Sequence, residues 1–331
     1  MHYLVTGATG FVGGHVVDRL LEQGATVRAL VLPSEPSEPL RRRGVEVDVG
    51  DLTEGTDLAG LVDGVDVVIH CAGIVGLTGT PEAMRKVNLE GTVWLLAACN
   101  TTSLARFVFM SSSVIYGSAS SPVTEDRSAQ PVGPYAESKW AAEQAIWRYH
   151  AEHGLPAVVL RPAIIYGPGD RLTWPRLERA LRRRVLPLPD GGKRILDLVY
   201  VSDVVEALLA AASRPEAVGH AYNITDGEIH SYRDILLAYE QASGRRPRIL
   251  PIPSKALMGT LQRLFRMMQT LRVPGNWERQ SGRLRGLNLD IHYAIDAARR
   301  DLAYVPRVGL QEGVRRTMAW YTDHQPAGSG T

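Results

Sequence analysis

Cysteine is nearly missing from this chain of 331 residues: only Cys71 and Cys99 occur, each among apolar neighbours. Two isolated thiols exclude a disulfide-stapled scaffold and suit a reducing compartment. A surplus of either charge is missing too. Lys and Arg total 37 against 35 acidic residues, a formal net charge of +2, which gives no electrostatic ground for a nucleic-acid partner. No apolar run approaches the roughly 18 residues of a membrane span. The chain opens directly on a strand-like His2 to Val5, without a basic region, an apolar stretch and a cleavage site. No secretory signal is therefore expected, and the cytoplasm is the expected location. No metal site is expected.

What is present is 45% hydrophobic residues on a length sufficient for one large α/β domain and a smaller annex. Short runs rich in Val, Ile and Leu read as strands buried on both faces: Tyr3 to Thr6, Thr26 to Val31, Val45 to Val49, Val65 to His70, Phe107 to Ser111 and Val158 to Leu160. Helix-length segments lie between them at Gly10 to Gln23, Pro81 to Asn100 and Tyr135 to His153. This alternation predicts βαβ units and a doubly wound parallel sheet of the Rossmann type. Beyond about Arg161, Pro and Gly thicken and helical pieces lose regular strand partners, which suggests a substrate-binding annex interleaved with the sheet. The expected division is 1–160 for dinucleotide binding, 161–324 for the substrate region and 325–331 for a flexible tail. Pro33 to Pro39 reads as loop or disorder.

Gly7-Ala8-Thr9-Gly10-Phe11-Val12-Gly13 follows the first strand and opens the first helix, the context a dinucleotide fingerprint requires. Gly7 permits the tight turn, Gly10 the approach of backbone N–H groups to a pyrophosphate, and Gly13 the close packing of helix on sheet. The helix N-terminus adds partial positive charge. Asp51-Leu52 closes the third strand, where a carboxylate reaches an adenine amine or else caps the next turn. The cofactor is NAD or NADP. The second strand ends Val31-Leu32 with neither the acid of NAD enzymes nor the cation of NADP enzymes. Arg41, Arg42 and Arg43 lie downstream, where one within reach of a 2′-phosphate tilts the reading to NADP, and a solvated helix face is the plainer account.

In Tyr135-Ala136-Glu137-Ser138-Lys139 the four-residue spacing puts phenol and ammonium on one helix face. A phenol is a poor acid or base near neutrality, and an adjacent cation is expected to lower its pKa. Ser111-Ser112-Ser113 ends the fifth strand at the carboxyl edge of the sheet, where ligands of open α/β folds bind. A serine there holds a substrate oxygen while Tyr135 exchanges a proton with it, and Lys139 also holds the nicotinamide ribose. Taken singly, the serines make turns, the Tyr-Lys pair is an exposed face and Tyr116 packs; in this order after a phosphate loop they form a catalytic set.

These pieces resemble the extended branch of the short-chain dehydrogenase/reductase superfamily, the NAD-dependent epimerase/dehydratase family, from Tyr3 to roughly Tyr321. The matching segments are Thr6 to Gly13, Asp51-Leu52, His70 to Gly73, Asn88, Ser111 to Gly117, Tyr135 to Lys139, Arg161 to Asp170, Val199 to Asp203 and Tyr222 to Gly227. The resemblance implies that Ser112, four residues before Tyr116, is the catalytic serine, with Ser113 the fallback. It implies that Cys71, Ala72, Gly73 and Asn88 line the cofactor site and that Pro162, Ala163 and Ile164 pass along the nicotinamide carboxamide.

Two chemistries share this fold: net redox of an alcohol or ketone, and nucleotide-sugar epimerisation or dehydration on bound NAD. Sugar-nucleotide members carry an Arg before the Asp-Phe-Val-Tyr-Val run; here Leu196 precedes Asp197 to Val201, with Arg194 two residues away on the same strand face. The segment Lys255 to Pro274 reads as a basic amphipathic helix: a lid over an apolar substrate, a membrane-surface contact, or an ordinary packed helix. Tyr293 to Tyr321 resembles the tail of 3β-hydroxysteroid and sterol dehydrogenase-like members, which implies a bulky apolar small-molecule substrate. Dihydroflavonol reductase-like enzymes share Val27-Arg28-Ala29, but Leu32 replaces their Arg. An idle dinucleotide-binding module is the reading from another class, and a homodimer is the family's common state.

Overall fold

The structure is a computed structural model that describes residues 1–54, 56–75, 79–119, 121–183, 185–253, 263, 267, 270 and 290–324. Its first half contains β1 (His2–Thr6), α1 (Phe11–Glu22), β2 (Thr26–Val31), α2 (Glu38–Arg41), β3 (Glu46–Val49), α3 (Leu58–Val62) and β4 (Val67–His70). Next come α4 (Pro81–Met84), α5 (Thr92–Cys99), β5 (Arg106–Met110), α6 (Pro134–His153) and β6 (Ala157–Pro162). The second half adds β7 (Ile164–Tyr166), α7 (Thr173–Leu181), β8 (Val185–Pro189), β9 (Ile195–Leu196), β10 (Leu198–Tyr200) and α8 (Val201–Ser213). It closes with β11 (Ala221–Ile224), β12 (His230–Ser231), α9 (Tyr232–Ser243), β13 (Arg248–Ile252), α10 (Asp296–Leu302) and α11 (Leu310–Asp323).

Seven strands form one sheet in the order β11-β6-β5-β4-β1-β2-β3, every pair parallel. Alternate residues of each strand feed opposite layers, so strands covered on both faces must be apolar throughout. Val5, Ile69, Val108 and Leu160 pack with Val16 and Val17 of α1 and Val204 and Leu208 of α8. Leu4, Val68, Phe107, Phe109 and Val159 pack on the other face with Leu95 and Leu96 of α5 and Ala142 and Ile146 of α6. The fold is the expected doubly wound α/β sheet. The chain leaves β1 toward β2 and β3 and returns to β4 on the other side, which opens a crevice at the carboxyl ends of β1 and β4.

Two features differ from the sequence reading. The expected helix Pro81 to Asn100 is broken by a π-helical turn at Arg85–Gly91, a wide turn that the apolar period does not reveal. Beyond Arg161 the chain still supplies the sheet: β11 joins β6 in register Tyr222 to Leu160. Its run Ala-Tyr-Asn-Ile is short and interrupted by a polar residue, so it lacks a strand signature. Smaller pairs, β7 with β10, β8 with β13 and β9 with β12, build the annex. Apart from residues 263, 267 and 270, the segment Lys255 to Pro274 lies outside the described residues, as does 325–331. Among the described residues no helix is long and apolar enough to cross a membrane.

Candidate active site

The phosphate loop is built by clearance. Gly7 sits at φ +70°, and a Cβ there meets the Ala72 nitrogen at 2.8 Å. A Cβ on Gly13 falls 2.1 Å from the Gly7 carbonyl oxygen, so only glycine lets α1 lie this close to the turn. Gly10 is the N-cap of α1, its N–H donating to the Gly7 carbonyl at 3.0 Å. Val12 is buried, Phe11 is half-buried, and Phe11 lies 3.9 Å from the position of a Cβ on Gly169. This bare-backbone cradle at the first turn of a helix suits a pyrophosphate.

The Thr9 hydroxyl donates to the carboxylate of Glu35, which arrives from the stretch read as loop or disorder. Asp51 accepts from both the N–H and the hydroxyl of Thr53, each at 2.8 Å, so it does cap its own turn; Leu52 behind it is buried. The three arginines expected near a 2′-phosphate are engaged elsewhere. Arg41 bonds the Val47 carbonyl at 3.0 Å, Arg42 pairs with Glu38 at 3.1 Å on an exposed helix turn, and Arg43 pairs with Asp18 at 2.5 Å.

At the carboxyl edge the three serines part company. Ser111 donates to Glu143, Ser113 lies beside the Tyr293 phenol, and Ser112 lies beside the Tyr135 phenol. Ser112 caps the 3₁₀ turn Ser113–Tyr116, accepting from the Val114 N–H at 3.4 Å. Tyr135 stands at the start of α6, just after Gly133 and Pro134 at its N-terminus. Burial pushes its phenol up to about 12, against the neighbouring Ser112 hydroxyl, which acts to lower it. This overturns the expectation of a lowered phenol. The Lys139 ammonium donates to the Met110 carbonyl at 2.9 Å and lies 4.7 Å from the Phe109 ring centre. Burial pulls Lys139 down to about 8, while Cys71 and Glu143 act to raise it. Cys71 itself is pushed up to about 12 by burial and stays a neutral thiol. A Cβ on Gly73 falls 3.3 Å from Lys139 Nζ, so the glycine leaves the ammonium side of the crevice open.

A line of hydrogen bonds ties this face to the phosphate loop. Asn88 accepts from the Ile74 N–H at 2.7 Å and donates to the Ile74 carbonyl and to Ser138 Oγ, both at 3.0 Å; Ser138 donates to the Tyr135 carbonyl at 2.9 Å. Thr92 donates to the Asn88 carbonyl at 2.7 Å. His70 contacts Thr92 Oγ1 through Nε2 at 2.9 Å and Thr6 Oγ1 through Nδ1 at 2.6 Å. Burial pulls His70 down to about 3, helped by the Lys139 charge, so the ring is neutral. Thr92 has spent its proton, hence His70 carries its hydrogen on Nε2 and Nδ1 accepts from Thr6. Thr6 in turn accepts from the Ala72 N–H at 3.2 Å, and every proton has one place.

A second buried network backs the serines. Arg161 bonds the fully buried Glu143 through Nε and Nη2, the latter at 2.7 Å, and through Nη1 the Tyr116 hydroxyl at 2.7 Å. Tyr116 donates to Asn223 at 2.8 Å, so it does more than pack. Sequence reasoning missed Glu143, although it continues the four-residue step Tyr135, Lys139 along an inward face. Beside the crevice, Ala163 is buried with its N–H on the Ile224 carbonyl at 3.0 Å, Pro162 ends β6, and Ile164 is 42% exposed.

Comparison with known proteins agrees with this architecture. The model of the NAD dependent epimerase/dehydratase family matches residues 3–225. The 2-alkyl-3-oxoalkanoate reductase of Stenotrophomonas maltophilia is 32% identical over 333 residues, covering 96% of this chain and 99% of that protein. The 3-beta-hydroxysteroid dehydrogenase of Mycolicibacterium neoaurum is 31% identical over 348 residues, covering 97% and 91%. Among solved structures, the UDP-glucuronic acid 4-epimerase of Bacillus cereus in complex with NAD superposes with a TM-score of 0.79 at 26% identity, covering 100% of both chains.

Proposed function

The chain belongs to the NAD-dependent epimerase/dehydratase family, and from that membership we propose that it interconverts a secondary alcohol and a ketone on a hydrophobic small molecule with NAD. Residues 1–160 form the dinucleotide half and 161–324 the substrate region. The observation that carries the reading is the Ser112 hydroxyl set beside the Tyr135 phenol at the carboxyl edge of the sheet, with the Lys139 ammonium in the same crevice.

When bound, NAD or NADH supplies the acceptor or donor of hydride. Gly7, Thr9, Gly10, Phe11, Val12 and Gly13 cradle its pyrophosphate, and Asp51, Leu52, Cys71, Ala72, Gly73 and Asn88 border the remainder. Ser112 donates a hydrogen bond to the substrate oxygen and fixes it beside the Tyr135 hydroxyl. In reduction, Tyr135 passes its proton to that oxygen as negative charge develops there; in oxidation it takes the proton back. A phenolate left in a buried site is costly, which holds the proton on Tyr135 until the substrate oxygen takes it. With the phenol at about 12 before substrate arrives, its O–H form predominates at neutral pH and is the proton donor.

The apolar character of the substrate is supported by Val114, Val132 and Ile164, exposed by 41%, 60% and 42%, which flank Ser112, Tyr135 and Ala163 in the chain. The reductase and steroid dehydrogenase relatives point the same way. The epimerase likeness raises a sugar-nucleotide substrate as the alternative, but Arg194 is held by Asp190 at 2.8 Å and lies 3.7 Å from Asp290. That pairing competes with a diphosphate for the guanidinium. The test is a matrix of NAD, NADH, NADP and NADPH against apolar ketones, sterols and nucleotide sugars, read by cofactor absorbance and product analysis. Turnover of an apolar ketone or alcohol that vanishes in Tyr135→Phe, with cofactor binding retained, is expected. Conversion of a nucleotide sugar without net change of cofactor overturns the reading.

A further inference from the structure

One end of the annex gathers positive charge around an open apolar strip. The inner side of α7 is buried: Leu181 packs with Leu186 of β8 and with Leu236 and Tyr239 of α9, and Leu177 lies against them. Steps of three and four residues therefore turn Arg176, Arg179 and Arg183 outward; all three are exposed, as is Arg182. β13 runs beside β8 in register Val185 to Arg248 and Pro187 to Leu250, so these four residues share one face of a two-stranded ribbon. Val185 is 46% and Leu250 52% exposed, whereas Leu186 and Leu188 between them are buried. The turn into β13 adds the exposed Arg245 and Arg246 next to Arg248. Residues 176–187 and 240–250 hold two acids, Glu178 and Glu240, each already paired, with Arg182 at 2.7 Å and Arg246 at 3.5 Å. Seven exposed arginines against two acids leave a surplus of five positive charges, on a chain whose whole formal charge is +2.

We propose that this face docks the protein on an anionic lipid surface, with the arginines at the headgroups and Val185 and Leu250 reaching the acyl boundary. Anionic leaflets attract clustered basic side chains, and apolar side chains beside them add burial at the interface. The same face of a second copy is a poor occupant, because it brings like charges together. A nucleic acid is a poorer one too: neither stretch holds an aromatic ring on which a base stacks, and an apolar strip gains nothing on a phosphate backbone. Adhesion to lipid needs neither cofactor nor turnover, so it stands or falls apart from the proposed reaction.

The experiment sediments the full chain with vesicles of pure phosphatidylcholine and of phosphatidylcholine with about 30% phosphatidylglycerol. The wild type is expected to bind the anionic vesicles alone and to be released by about 0.5 M salt. Replacing Arg176, Arg179 and Arg183 together by glutamine is expected to weaken binding by about fivefold for each charge removed. Val185→Ser with Leu250→Ser is expected to weaken it about tenfold at every salt concentration, the mark of apolar contact that a simple polyanion does not produce. Circular dichroism and urea unfolding confirm that the variants, all of exposed side chains, are folded. Equal binding to both vesicles, or binding that survives the arginine substitutions and so belongs to another part of the chain, overturns the proposal. So does duplex DNA or polyglutamate bound as tightly as the anionic vesicles with no effect of the serine pair, which marks a site for polyanions.

Discussion

Replacing Arg161 by methionine strands the Glu143 carboxylate in the interior. The Glu143 side chain is 0% exposed and that of Arg161 only 6%, and the guanidinium reaches it through Nη2 at 2.7 Å and Nε at 3.2 Å. After the substitution Glu143 keeps the Ser111 hydroxyl but loses its hydrogen-bonded counter-charge, leaving the Lys139 ammonium as the nearby cation. Breaking one side of a buried pair costs about 3–5 kcal/mol, because the remaining charge has no water to return to. With an unfolding entropy of about 2.1 cal/mol/K per residue, a chain of this length loses about 1.4 °C per kcal/mol, so Tm falls by about 4–7 °C. Scanning calorimetry and urea unfolding read the effect. The pair Glu143→Leu with Arg161→Met removes both charges and is expected to recover most of the loss, since apolar groups of similar size replace a buried ion pair at little cost. A single variant that loses less than about 1 kcal/mol, or a double variant as unstable as the single, refutes the reasoning.

Other outcomes follow from the same geometry. Gly13→Ala forces a Cβ to within 2.1 Å of the Gly7 carbonyl oxygen, so the loop must shift; NAD affinity is expected to drop at least about tenfold by calorimetry. Asn88→Ala leaves the N–H and carbonyl of Ile74 unpaired, a loss of about 2–3 kcal/mol in urea unfolding. Lys139 titrates at about 8 in the folded protein and at its ordinary 10.5 when unfolded, so the unfolded chain holds the extra proton between these values. Stability therefore rises with pH from 8 to 10.5, the penalty being complete below 8; the difference between wild type and Lys139→Met should show this slope, and a flat difference speaks against a buried ammonium. His70 gives the acid counterpart: folded at about 3 and ordinarily at 6.5, it makes stability fall as pH drops from 6.5 toward 3, a slope that His70→Phe should remove.

The parts of the site that sequence makes legible are those fixed by local geometry. Gly7 and Gly13 are required by one backbone angle and one close approach between neighbours in the chain, so the loop reads directly from its spacing. Tyr135 and Lys139 share a face because they are one helical turn apart. The contact of Glu35 with Thr9 depends on how a proline-flanked turn folds back over an adjacent strand, and no periodicity encodes that. The sign of the Tyr135 shift was equally hidden, because burial is a property of the packed molecule while the neighbouring lysine is visible in the sequence. β11 was missed for a third reason: four residues with one asparagine carry too little pattern, and its place in the sheet is set by β6 beside it.

The π turn at Arg85–Gly91 has a consequence for how this helix can change in length. A π turn spends one residue more than an α turn, and each residue of an α-helix advances by about 100°. Deleting one residue there yields a smoother helix but turns Pro81–Met84 by about that angle relative to Thr92–Cys99, so Asn88 and Thr92 no longer face Ile74 and His70 together. A locally better helix is thus a broken joint between the two halves of the crevice, and the phase of this segment is locked by its irregularity.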